Sequence, residues 1–294
     1  MLPTFRVFSA WLLAALALIA PVRAQNTSRI PLHRTRTSPS DLEIGGDLAG
    51  VAHGQTRFIR YTDLLSLPEQ SFTARGDSNF SGPVHIGGIP LERLPALLGA
   101  ASGAKMVTAI CDDLYKANYP AAYLQNHHPV LVLRINGQPP ARWPKSLDGP
   151  SMGPYMISHA SFTPSFQVLS HSDEPQIPWG VIRLDFRRES EVYAGIQPIG
   201  PHAAELIVQQ GFTIARQNCF RCHNQGAEGG MKANRSWEVV ARRSVADPQY
   251  FDDYVRNPRR LNPASQMAAS PNYDNATLAA LRAYFKPFAE VPER

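Results

Sequence analysis

Cysteine is scarce in this chain: three residues in 294, at positions 111, 219 and 222. Three cannot build the paired framework of a disulfide-stapled domain, so stability has to come from packed cores, for which an apolar fraction of 44% is ordinary. Long apolar runs are nearly missing too. Only Ala10–Ala20 is almost wholly apolar, and it falls short of the ~20 residues a spanning helix needs, which excludes a multi-span membrane protein. Basic residues are dispersed rather than striped and no nucleic-acid-binding motif is found, so no nucleic acid partner is expected. Internal repeats are absent, which excludes a solenoid.

At the N-terminus, Met1–Arg6 is positively charged, the apolar run follows, and Val22-Arg23-Ala24 has the small-x-small form that signal peptidase cleaves after. The expectation is a signal peptide over 1–24, cleaved after Ala24, and export to the periplasm; an uncleaved membrane anchor is the alternative. The remaining length suits two domains. A net charge of +5 suits docking onto a partner with an acidic surface, or serves solubility alone.

The chemistry concentrates in Cys219-Phe220-Arg221-Cys222-His223. In C-x-x-C-H, one turn of helix spaces two thiols to match the two vinyl groups of a haem, and the adjacent imidazole reaches the iron as proximal ligand. A redox or zinc-type C-x-x-C that happens to precede a histidine is the competing account. Covalent haem attachment in bacteria occurs outside the inner membrane, so this reading and the export signal agree. Cys111 stands about a hundred residues upstream and is expected to be a buried free thiol.

Gln25–Gln55 is polar and turn-rich and reads as a flexible leader, with structure beginning near Thr56. Strands are expected over 57–61, 71–75, 83–88, 105–110 and 130–135, the last ending in an Asn136-Gly137 turn; short helices are expected over 64–67 and 90–98. Gly88-Ile89-Pro90-Leu91, Asp113-Leu114-Tyr115, Pro120, Leu131–Pro139 and Gly149-Pro150-Ser151-Met152-Gly153-Pro154 follow one another in an order that resembles the molybdopterin-binding domain of the sulfite oxidase family. That resemblance covers roughly 56–186 and implies a mixed α/β domain with a molybdopterin site. The chain departs from the pattern where it matters for chemistry. Catalytic members bind molybdenum through a cysteine on the loop corresponding to Phe72–Pro83, which holds none, and Cys111 lies two residues before Asp113, where the family places no ligand. The expectation is therefore a non-catalytic relative serving in docking or ligand binding. His127, His128, His159 and His171 with Asp112 and Asp113 match no compact metal-ligand spacing.

A Gly/Pro-rich linker over 195–201 sets the domain boundary near 199. Helices are expected over 202–215, with Gly211 interrupting the pattern, over 247–255, and over 276–285. An N-terminal helix crossing a C-terminal one after C-x-x-C-H resembles the class I cytochrome c fold. The resemblance implies a sixth iron ligand from a methionine near the final segment, and Met267, 44 positions after His223, lies in the matching loop 257–271. Met231 competes: eight residues can span ~26 Å, so reach does not exclude it, but its glycine-rich setting resembles the loop beneath the haem edge. No proline follows the motif to offer a carbonyl to His223, so the acceptor for its second nitrogen stays open. Trp237, Arg242, Arg243, Arg259 and Arg260 are candidate donors to the haem carboxylates.

The sequence thus predicts an α+β chain: signal peptide 1–24, leader 25–55, sulfite oxidase-like domain 56–198 and all-α cytochrome c domain 199–294. Its leading function is an exported monohaem electron carrier, with Cys219 and Cys222 as covalent anchors and His223 and Met267 as axial ligands of one haem c. The alternatives are a molybdopterin-dependent oxidoreductase passing electrons to the haem, within a periplasmic complex, and a sensor whose N-terminal domain binds a ligand.

Overall fold

Val130–Ile135 shows why the first part of the chain folds as a sheet. Its six residues are β-branched or long apolar apart from Arg134, and five of the six are buried, which is the composition of a strand covered on both faces. The structure is a computed structural model that describes residues 30–75, 77–145, 151–160, 167–168, 171–172 and 176–290. The expected signal 1–24, the start of the leader and Gly149-Pro150 lie outside them. Among the described residues no helix is long and apolar enough to cross a membrane.

The chain is mixed α and β. Its strands are β1 Leu42–Gly46, β2 Arg57–Ile59, β3 Gln70–Ala74, β4 Val84–Pro90, β5 Met106–Cys111, β6 Lys116–Tyr119, β7 Val130–Ile135, β8 Tyr155–Ser158, β9 Gln167–Val168, β10 His171–Ser172, β11 Trp179–Arg187, β12 Asn224–Gln225 and β13 Glu228–Gly229. The helices are α1 Tyr61–Leu64, α2 Leu94–Leu97, α3 Ala121–His127, α4 Glu189–Val192, α5 Leu206–Ile214, α6 Trp237–Ala246, α7 Pro248–Arg256, α8 Pro258–Leu261 and α9 Asn275–Ala289.

Strands β1–β8 and β11 form one sheet, and β11 is its spine. Its C-terminal half pairs with β1 in parallel and β5 in antiparallel fashion, while Trp179 and Val181 pair with β8; register shifts near Val181 bend the strand and curl the sheet. Leu42, Ile44, Ile59, Tyr119, Leu131 and Phe186 fill the main core beneath it. Asn136 and Gly137, both at positive φ, close the predicted turn after β7.

Two expectations are corrected here. Structure begins well before Thr56: residues 42–46, expected in a flexible leader, form β1, in register with residues 183–186 and with Leu42 and Ile44 fully buried. One partner strand, β11, lies some 140 residues away; the other is the nearby β2, paired in antiparallel register from Leu42 opposite Ile59 to Ile44 opposite Arg57. The first helix starts at Tyr61 rather than Leu64, because the extended Arg60 already supplies the carbonyl that Leu64 N–H bonds.

From Glu189 onward the chain is helical apart from the small β12–β13 hairpin. Helices α5, α6 and α9 enclose a second core of Phe212, Phe220, Trp237, Leu281, Tyr284 and Phe285. Trp237 meets Phe220 edge-on at 5.4 Å and Phe285 at 5.0 Å, contacts worth ~0.5–1.5 kcal/mol each beyond burial. Asp274 caps α9 by accepting the Thr277 N–H at 2.8 Å, and Asp247 caps α7 by accepting that of Tyr250 at 3.0 Å. Where α5 crosses α9, a Cβ on Gly211 would sit 2.0 Å from the Ala280 carbonyl oxygen. The glycine that interrupts the apolar pattern is what lets the two backbones touch.

Candidate functional site

Helix α5 does not stop at Ile214; it widens into a π-helical turn, Ala215–Cys219, which delivers Cys219 to the edge of the helical core. The N–H groups of Cys222 and His223 both donate to the Cys219 carbonyl, so the motif forms one compact turn with its three functional side chains half-buried. Packing holds that turn from below. Gly230 passes so close that a Cβ there would lie 1.7 Å from Arg221 O, and one on Gly229 would lie 2.6 Å from His223 O.

His223 Nδ1 donates to the backbone carbonyl of Arg235 at 2.8 Å. A carbonyl only accepts, so this bond places the proton on Nδ1 and leaves the Nε2 lone pair available as a metal ligand. Burial holds the imidazole below its usual pKa, the Arg235 bond opposing, so at neutral pH it is in the ligating form. Arg235 O fills the role for which the sequence showed no proline. A backbone carbonyl twelve residues on carries no side-chain signature, which is why the sequence did not reveal it.

Cys219 and Cys222 are not joined in a disulfide. Burial raises the Cys222 thiol above its usual range, although Lys232 and Arg221 pull it down. A redox C-x-x-C works through a depressed thiol pKa, so that account is not supported. A structural zinc site needs four convergent ligands, and among the described residues no group of three or more His, Cys, Asp or Glu side chains is placed to hold a metal.

The two methionines occupy different settings. Met267 packs, half-buried, against the same helical core as Cys219, and its N–H donates to Ser265 Oγ. Met231 is 55% exposed and its backbone N–H donates to Leu114 O in the sheet domain. The helical core therefore brings Cys219 and Met267 onto one cluster and leaves Met231 off it. Trp237 is fully buried within that core, its ring packed against Phe220, Tyr284 and Phe285. Of the arginines, Arg259 Nε donates to Ser265 O, Arg260 pairs with Asp253, and Arg243 lies over the Tyr250 ring.

The sheet domain contributes a different environment. Cys111 is buried, as expected, and burial with the nearby Asp113 and Asp112 carboxylates drives its thiol far above the range in which a thiolate forms. His159 is buried, its Nε2 3.1 Å from the Tyr123 hydroxyl and its ring edge-on to His127. Burial lowers its pKa to about 3, keeping it neutral. Where the two domains meet, Cys111, Tyr115, Trp179, Arg221 and Lys232 line a cavity of about 190 Å³ behind the motif.

No family model matches the chain, and no curated protein matches it as a relative. Among solved structures, the sulfane dehydrogenase SoxCD of Paracoccus pantotrophus matches at 16% identity over 58% of this chain and 45% of that one, with a TM-score of 0.34. The chain thus spans less than half the length of that protein, and a likeness at this level bears on neither activity nor cofactor.

Proposed function

We propose that the chain is an exported c-type cytochrome that carries single electrons in the periplasm, its N-terminal domain serving in docking. The observation that carries this reading is the His223 Nδ1 bond to Arg235 O, which turns the imidazole of a C-x-x-C-H turn into a fixed ligand with Nε2 available. When bound, haem supplies a one-electron ferric/ferrous couple. Cys219 and Cys222 would hold it through thioether bonds, and His223 and Met267 would be the protein ligands to its iron. Two protein ligands to the iron would leave no site for oxygen or substrate, which suits transfer between redox partners rather than catalysis. The positive net charge suits a partner with an acidic face.

Reduced-minus-oxidised spectra of the wild type and Met267→Ala test the reading. The expected result is a low-spin c-type spectrum whose ferric sulfur-to-iron band disappears in the variant. Persistence of the band in Met267→Ala contradicts the ligand assignment, and stoichiometric molybdenum in the same sample contradicts the carrier reading in favour of an oxidoreductase.

A further inference from the structure

The segment 221–232 carries the second thiol and the histidine of the motif, and it is tied to the sheet part of the chain at residues 221, 227–228 and 231–232. Lys116 N–H donates to Arg221 O at 3.0 Å, and Met231 N–H donates to Leu114 O at 3.0 Å. Lys232 Nζ meets Asp113 Oδ2 at 2.5 Å, and Arg187 meets Glu228 at 2.6 Å. Lys116 Nζ reaches Ala227 O at 3.4 Å. The ties at residues 221 and 231–232 come from one feature, the β5–β6 turn, in which Leu114 takes a positive φ of 68° that presents its carbonyl to Met231. Behind that turn Tyr115 packs on Arg221, and burial raises the phenol to a pKa of about 12. The backbone on either side of His223 is therefore fixed by the sheet domain as well as by the helical one.

We infer that the β5–β6 turn is a positioning clamp for the haem loop: Asp113, Leu114 and Lys116 hold residues 221–232 in place and thereby set the orientation of His223 toward the iron. This rests on the cytochrome reading and deepens it, because it gives the N-terminal domain a part in the redox site beyond docking. The ion pair is partly exposed and lies next to the Met231–Leu114 backbone bond, so it acts together with the two backbone bonds, and the clamp needs all three ties.

The test uses the full-length, haem-loaded protein. Asp113→Ala/Lys232→Ala removes the pair without altering the summed charge, and Asp113→Lys/Lys232→Asp restores a pair with its sense reversed. The readouts are the midpoint potential and amide exchange at Met231 and Lys116. In the alanine pair, the ratio of reduced to oxidised protein at fixed applied potential is expected to change about threefold or more, or ~28 mV at 59 mV per tenfold. Exchange at the two amides is expected to rise about tenfold, with both readouts returning toward wild type in the reversed pair. A second comparison sets Lys116→Pro, which deletes the N–H donated to Arg221, against Lys116→Ala, which loses the same charge and keeps the donor; only the proline variant should displace the potential. A silent alanine pair, a reversed pair displaced as far as the alanine pair, or equal effects of proline and alanine overturns the clamp. A wild type without covalent haem instead contradicts the cytochrome reading itself.

Discussion

His223 Nδ1 is held by the Arg235 carbonyl, which leaves Nε2 with a free lone pair, the nitrogen that the proposed function assigns to iron. Because the acceptor is backbone, no side-chain substitution at 235 removes it, and ligand tuning falls to the opposite face. Replacing Met267 by His exchanges a soft thioether, which stabilises ferrous iron, for a second imidazole. The expected outcome is a lowered midpoint potential with low-spin haem retained, read by redox titration; Met231→His, at an exposed position off the helical core, is expected to leave the potential near wild type. His159 gives a pH prediction. Its folded pKa, about 3, lies below the ordinary 6.5, so between those values the unfolded chain binds a proton that the folded chain refuses. Stability from this group is present above pH 6.5 and is lost as pH falls toward 3, at up to ~1.4 kcal/mol per pH unit. Denaturant titrations of wild type and His159→Gln should show the slope flatten by up to one proton in the variant.

At the scale of elements, the crossing of α5 and α9 is the most demanding contact in the helical part. Gly211→Ala gains helix propensity of ~1 kcal/mol but drives a methyl into the Ala280 carbonyl and the Tyr284 Cβ, which backbone cannot yield without moving α9. The net expectation is a loss of ~1–3 kcal/mol by chemical denaturation, with an unchanged or raised midpoint contradicting it. Elements with strong local patterns were legible in the sequence: β7 and its Asn136-Gly137 turn, α7 after Asp247-Pro248, and α9 after Asp274. Those that depend on distant partners were not. β1 is five residues in a polar stretch, held between the neighbouring β2 and the distant β11, which accepts it in parallel register. β6 is missed for a different reason: it is short, and Lys116 and Asn118 break its apolar pattern although its hairpin partner β5 lies just before it. The π-helical turn before Cys219 has no sequence signature at all.

Across the whole molecule, the two parts share more than a linker. Met106 of β5 belongs to the helical core together with Val192, Tyr193 and Ile196, and the Arg187–Glu228 pair joins the end of the sheet's spine strand to the β12–β13 hairpin. The expected thermal unfolding of the haem-loaded chain is a single transition by calorimetry; two separated transitions contradict that coupling. The proposed anchors Cys219, Cys222 and His223 are read from five consecutive residues because C-x-x-C-H is a local motif. The clamp from the β5–β6 turn could not, because it joins residues about a hundred positions apart. The central claim is covalent haem on this motif, and intact-mass spectrometry of the denatured chain, matured in an export-competent host, measures it directly. The account predicts a mass increase of one haem that survives denaturation and vanishes in Cys219→Ala/Cys222→Ala; an unmodified wild-type chain, or one that releases its haem on denaturation, contradicts it.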